Sequence, residues 1–280
     1  MPLIHLFRRC NQRCVFCSYP ADAGADGPAG LGDWLREIAA MPPGPVQISG
    51  GEPLLAGTSR LCLLLAAVKK LGRKAELQTN AIAAAGLPAG ELTRLCKALK
   101  AAGGYFNVNF PAASPAADFR ITKTRGAFGR RLAGVRRLVK AGAAVRLTHV
   151  ISSLNYKSLP AFAAFAAKEL KGIAWLQFSY IKGVGRAEAR YLPKYGEVKP
   201  YLLEALRLCR AAGLRCDVDH IPPCYLGSFY RLNVDIVKMK EGRPGPHLQE
   251  KARVAACRGC RFLALCPGPR KDYMAAHKKL

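Results

Sequence analysis

Short apolar runs recur along this chain at residues 2–7, 46–49, 74–79, 105–110, 144–151, 174–180 and 214–219, each about the length of a strand. Between them, the stretches 31–41, 58–71, 88–102, 128–141, 157–170 and 198–212 repeat apolar residues at helical spacing. The alternation predicts a βα repeat. Leu92, Leu95, Cys96 and Leu99 fall on one helical stripe, as do Leu202, Ala205, Leu206 and Cys209, so Cys96 and Cys209 read as packing residues. Cys62, inside a Leu-rich helix, reads the same way.

Alternation within the strands says more, because residues i and i+2 share a face and one face must pack on helices. Val46 and Ile48 leave Gln47 and Ser49 on the other face, and Leu77 leaves Glu76, Gln78 and Asn80. Phe106, Val108 and Phe110 leave Asn107 and Asn109; Val145 and Leu147 leave Arg146 and Thr148. Leu176 and Phe178 leave Gln177 and Ser179, and Val218 leaves Asp217 and Asp219. A closed eight-stranded barrel fills its middle with branched apolar layers. This polar lining points instead to an α/β fold built as an open partial (β/α)6 TIM-like barrel around a substrate cavity. Were these residues the outer face of a flat sheet, their apolar neighbours would be exposed.

Near residue 220 the βα rhythm stops, which divides the chain into a barrel core, 1–219, and a small irregular cysteine-rich extension, 220–280. With 280 residues and 50% hydrophobic composition, the chain can bury a substantial core. Arg8, Arg9 and a cysteine loop interrupt any N-terminal signal, and the longest apolar stretch, Leu61 to Val68, is too short to span a bilayer. A cytoplasmic location is expected, with no membrane partner. In a reducing compartment, 11 cysteines argue for metal and redox chemistry rather than disulfides.

Cys10, Cys14 and Cys17 follow the first strand in the order C-x3-C-x-Phe-C. Three thiols on one tight loop suit an iron–sulfur cluster that keeps one iron open. A zinc knuckle completed by a distant fourth ligand is the alternative. Gly50-Gly51-Glu52-Pro53 follows the second strand, where two glycines let a ligand reach the backbone; a strand-ending turn has the same composition. Together the two motifs resemble the radical S-adenosylmethionine (SAM) superfamily.

The resemblance implies a [4Fe–4S] cluster on Cys10, Cys14 and Cys17 that chelates SAM at its open iron. Reductive cleavage of SAM then gives a 5′-deoxyadenosyl radical for hydrogen abstraction. It further implies cofactor contacts from Phe16 to the adenine and from Gly50, Gly51 and Glu52 to the methionine ammonium. Asn109 joins this cofactor set. Arg120 enters it through Asp118-Phe119-Arg120-Ile121-Thr122 with Gly126-Ala127-Phe128, which resembles a D-x-x-R and GSF pattern, one residue shorter between Asp and Arg. Gly183 enters through Gly183-Val184-Gly185-Arg186-Ala187, which resembles an adenine-bordering loop; a Gly-rich turn reads identically.

The tail carries Cys224 and then Cys257-x2-Cys260-x5-Cys266. This run resembles part of the SPASM and twitch extensions, which hold auxiliary [4Fe–4S] clusters. SPASM proteins continue to a further cysteine where this chain has Arg270, so one auxiliary cluster on Cys224, Cys257, Cys260 and Cys266 is expected. Cys216 is a reserve ligand, although alternation with Val218 turns it toward the helices. A four-cysteine zinc site accepts the same ligands. His220, beside Pro222-Pro223, could line this site or be structural, and His149 reads as a satisfied core residue.

The formal charge is +26, 44 basic against 18 acidic residues. Seven thiolates on two clusters of roughly +2 core charge remove only roughly 3 units. The basic pairs Lys69-Lys70, Arg130-Arg131, Arg136-Arg137 and Lys278-Lys279 have no interleaved aromatic motif and read as solvated helix faces.

Three readings follow. The leading one is an enzyme modifying a ribosomally made peptide, with a flavodoxin- or ferredoxin-like electron donor. No leader-binding segment precedes residue 10, so this reading needs a separate leader-peptide-binding partner. The second is radical modification of a nucleotide-like metabolite or RNA, which suits the basic charge. The third, from another class, is a non-enzymatic cysteine-rich zinc protein that binds nucleic acid; it leaves GGEP and the polar lining unexplained.

Overall fold

A computed structural model describes residues 2–19, 30–242 and 246–278. Seven parallel strands pair in chain order in one sheet: β1 (Leu3–His5), β2 (Val46–Ser49), β3 (Ala75–Thr79), β4 (Tyr105–Asn109), β5 (Val145–Ile151), β6 (Trp175–Tyr180) and β7 (Cys216–Asp219). The sheet starts on β1 and ends on β7, so the partial barrel is open as the polar lining implies. The seventh apolar run joins as an edge strand, one beyond a (β/α)6 unit.

Helices α1 (Leu31–Ala40), α2 (Thr58–Lys70) and α3 (Ala89–Ala101) follow the expected pattern. An unpredicted helix, α4 (Pro115–Thr122), comes next, started by Ser114, whose hydroxyl accepts the Ala117 amide at 3.4 Å. Then come α5 (Ala127–Lys140), α6 (Leu159–Glu169) and α7 (Tyr195–Ala211). The sequence pattern starts α7 at 198. The helix instead begins three residues earlier, with Glu197 accepting the Lys194 amide at 3.2 Å. Two short helices, α8 (Val234–Lys240) and α9 (Lys271–His277), lie in the tail.

Val46, Ile48, Leu77, Phe106, Val108, Val145, Leu147, Leu176, Phe178 and Val218 are fully buried in the layer between sheet and helices. The opposite faces carry the polar residues. Several of these form a hydrogen-bonded network across neighbouring strands. Glu76 accepts from Asn107 Nδ2 at 2.7 Å, Arg146 Nη2 at 2.8 Å, Gln78 Nε2 at 3.1 Å and the Tyr105 hydroxyl. Gln78 in turn accepts from Ser49 at 2.7 Å, and Asn107 from Thr148 at 2.6 Å. The Arg146 guanidinium lies 5.2 Å from the Tyr105 ring and 5.8 Å from that of Trp175. Much of the polar interior is thus a hydrogen-bonded plug, in which Arg146 Nε and Asp217 Oδ1 are left without partners. The strand ends remain for chemistry, as is general for parallel α/β folds.

Burial alone would raise the Glu76 carboxyl, but Arg146, Tyr105, Asn107 and Gln78 outweigh it and hold the group below its ordinary range. Its contribution to stability is therefore present above the ordinary carboxylate range and lost as pH falls through it toward the lowered folded value. Glu76→Ala is expected to cost about 3–5 kcal/mol in urea unfolding at neutral pH. Glu76→Gln should flatten the acid limb of the stability curve, and an unaltered acid limb would show that other groups produce it.

Candidate functional site

The cysteine loop runs from the end of β1 without helix or strand of its own, and its neighbours fix it through backbone bonds. Glu52 N donates to Arg9 O at 2.9 Å, Arg13 N to Thr122 O at 3.1 Å, Val15 N to Ile121 O at 3.0 Å, and Arg186 N to Cys17 O at 2.9 Å. The loops after β2, β4 and β6 therefore all converge on it. Gly51 makes the first approach feasible: it sits at φ +48°, and a Cβ there would lie 2.0 Å from Arg9 O. At Gly185, φ +67°, a Cβ would meet Ser18 C at 2.4 Å. These glycines serve a contact between loops.

Cys10 is exposed, and Cys14 and Cys17 are half-buried. Asn80 Nδ2 lies 3.9 Å from Cys10 Sγ and donates to Asn11 Oδ1 at 2.6 Å, while Cys14 Sγ lies 3.7 Å from Gln12 Oε1. Burial raises the Cys10 thiol to about 11 and, with repulsion from Cys10, the Cys14 thiol to about 12. Cys17 is raised by burial and partly relieved by Arg186. As free groups the thiols are protonated near neutrality, so metal uptake must release their protons.

The other expected contacts are placed unevenly. Phe16, like Tyr191, packs against the small buried cluster of Val15, Ala112 and Ile121. Glu52 is 1% exposed, and its carboxylate already accepts from Thr79 Oγ1 and Asn80 N at 2.6 Å each and Leu54 N at 3.0 Å. It braces the turn after β3 against the Gly-Gly loop. Burial raises its pKa, opposed by these donors. Asn109 Oδ1 is buried without a protein partner. Arg120 is exposed on α4. The inward arginine is instead Arg131 of α5, paired with the buried Asp118. Nothing local marks this pair, which spans 13 residues. Gly183 donates its amide to Asp272 Oδ2 of α9 at 2.6 Å, a second partner the sequence pattern does not reveal.

In the tail, Cys224, Cys257, Cys260 and Cys266 line one apolar pocket with Pro222, Pro223 and Phe262. Cys260 Sγ accepts the Phe262 amide at 3.5 Å and Cys266 Sγ the Gly268 amide at 3.4 Å, the arrangement that steadies a ligating thiolate. Arg253 ties the loop by donating to Leu263 O at 2.6 Å and Cys266 O at 3.1 Å. Among the described residues no three His, Cys, Asp or Glu side chains converge at single-ion spacing. Burial and the neighbouring thiols raise Cys224 to about 11. Cys216 instead shares a hydrogen bond with Cys209 of α7.

His220 is buried at φ +66°, with Nδ1 3.3 Å from Asp219 Oδ1, and does not line the cavity. His149 lies within β5, its Nδ1 2.9 Å from Phe110 O and its ring 3.9 Å from that of Phe162; burial lowers it to about 4. Among the described residues no helix is long and apolar enough to cross a membrane.

A family model for the radical SAM superfamily matches residues 4–166. A 7-carboxy-7-deazaguanine synthase from Hyperthermus butylicus is 40% identical over 75 residues, 26% of this chain and 32% of that protein. A pre-heme d1 synthase from Dinoroseobacter shibae is 28% identical over 188 residues, 65% of this chain and 43% of that protein. The chain thus spans a third to under a half of these curated relatives. Among solved structures, native anSMEcpe with bound AdoMet superposes with a TM-score of 0.67 at 13% identity, over 99% of this chain and 94% of that one. Streptococcus suis SuiB bound to precursor peptide SuiA gives 0.62 at 16%, over 77% and 48%. At such identities the likeness is one of fold.

Gly51→Ala is expected to displace residues 8–9 and lower the urea midpoint of the metal-free chain by more than Gly126→Ala. Gly126 shares the left-handed backbone, at φ +67°, but has nothing within 4 Å of a new Cβ, so its substitution should cost only about 1–2 kcal/mol. Equal losses would show that the approach to Arg9 imposes no constraint.

Proposed function

Because this chain belongs to the radical SAM superfamily, we propose that it is a radical enzyme whose Cys10, Cys14 and Cys17 hold a [4Fe–4S] cluster. The carrying observation is the single loop that presents three thiols, clamped by backbone bonds from the loops after β2, β4 and β6. When bound, the cluster and SAM supply the electron and the 5′-deoxyadenosyl radical that takes a hydrogen atom from substrate. The chain's own residues hold and orient them. The Gly50–Gly51 backbone borders the methionine end, Asn109 offers its unpartnered oxygen, and Phe16 and the Gly183–Ala187 loop border the adenine. The polar strand ends select the substrate.

The four tail cysteines hold one auxiliary [4Fe–4S] cluster on this reading, which makes 220–280 a cluster-bearing extension of the 1–219 core. One shared cavity for all four thiols supports it. The substrate class we favour is a ribosomally made peptide, brought by a separate leader-binding partner, with the electron from a flavodoxin- or ferredoxin-like donor. Similarity in fold to SuiB bound to its precursor peptide, and to anSMEcpe with a Cp18Cys peptide, supports this class. The second reading, a nucleotide-like or other small metabolite, is favoured by the names of the two curated relatives.

Anaerobic reconstitution followed by dithionite and SAM is expected to yield 5′-deoxyadenosine from the wild type and none from Cys14→Ala. No product from iron-loaded protein supplied with candidate peptides and metabolites would sink the enzyme reading. Zinc in place of iron would promote the non-enzymatic one. Joint replacement of Cys257 and Cys260 by alanine should lower iron from roughly eight to roughly four per chain; unchanged iron would remove the auxiliary site.

A further inference from the structure

Arg131 of α5 is fully buried, yet only part of its guanidinium is used. Nη1 pairs with Asp118 of α4, and the group lies 5.5 Å from the Phe110 ring centre. Nε and Nη2 are buried with no hydrogen-bond partner. Unpaired buried donors on a charged group are costly, and few survive in a native fold without an acceptor to meet.

The surroundings indicate which acceptor. Asp118 Oδ1 is fixed by the Thr122 hydroxyl at 3.1 Å. The carbonyls of Thr122 and Ile121 receive the amides of Arg13 and Val15, the two residues flanking Cys14. One short helix therefore carries both the counter-ion of Arg131 and the backbone ties of Cys14. Arg131 lies within electrostatic range of the Cys14 sulfur and of the Glu52 carboxylate. Glu52 already has three protein donors, whereas the contact of the Cys14 sulfur with Gln12 Oε1, at 3.7 Å, is to an acceptor.

We propose that Arg131 is a positioning residue for the three-cysteine cluster. Its idle N–H groups serve the Cys14 sulfur and the adjoining cluster face and stabilise the reduced, more negative state, while Asp118 sets how much of that positive charge is available. Hydrogen bonds to sulfur and local charge are two of the levers that set cluster potential. The inference rests on the reading of Cys10, Cys14 and Cys17 as a [4Fe–4S] site.

The test is a redox titration of the reconstituted full chain, following the EPR signal that responds to added SAM, with SAM affinity measured separately. In Arg131→Gln the ratio of reduced to oxidised cluster at fixed poise should fall about tenfold, near 59 mV for one electron. Arg131→Lys should recover part of the shift, and Asp118→Asn should move the ratio the opposite way. An unchanged potential in an iron-loaded Arg131→Gln protein overturns the proposal. So does weakened SAM affinity at unchanged potential, which would assign the donors to the carboxylate of SAM. Should Arg131→Gln fail to fold, Asp118→Asn decides alone: a shift toward the reduced state supports the proposal, and none overturns it. A wild type with no SAM-responsive signal fails the parent reading itself, and this inference with it.

Discussion

A loop with no regular structure must hold three sulfurs in one arrangement, and backbone hydrogen bonds from three other loops hold it. Each bond requires main chains to meet at about 3 Å, and two of the meetings involve a glycine backbone that no larger residue could replace without a collision. The positions of those loops follow from the strands that precede them. Sheet order and register are therefore conditions for the cysteine geometry, and the plug around Glu76 and Arg146 holds that register from inside the barrel.

The strands and the six longer predicted helices were legible because each has a full stripe or alternation to display. α4 was not: its eight residues are too few to display a full apolar stripe, although Ser114 and Pro115 start it as a cap and a first-turn proline do. The same limit explains the arginine. A motif search looks for partners at short spacing and so lights on Arg120, whereas the carboxylate of Asp118 meets Arg131 across two helices. Tail cysteines were readable from their spacing, but Arg253 and Asp272 were not, because nothing local announces a side chain whose partner is a remote backbone group.

Polar interior positions turned out to serve two purposes that alternation cannot separate. Some, such as Glu76, Gln78, Asn107 and Ser49, bond to one another, while Asn109 keeps an unpartnered oxygen. Both look alike in a sequence, since the pleat reports only which face a residue takes. Which inward positions pair with one another and which stay open emerges only from the assembled network.

The bond between Asp272 and Gly183 joins residues 89 apart, and the Gly183–Ala187 loop in turn holds Cys17 through Arg186. Beside it, Tyr273 stacks on Tyr195 with ring centres 3.7 Å apart. Chains leave the ribosome from the N-terminus at about 5–20 residues per second. The first cysteines to be made thus wait for α9 to emerge before their surroundings are complete. If those cysteines hold a cluster, its loading belongs to a chain that has already folded through α9 rather than to the β1 segment as it is made.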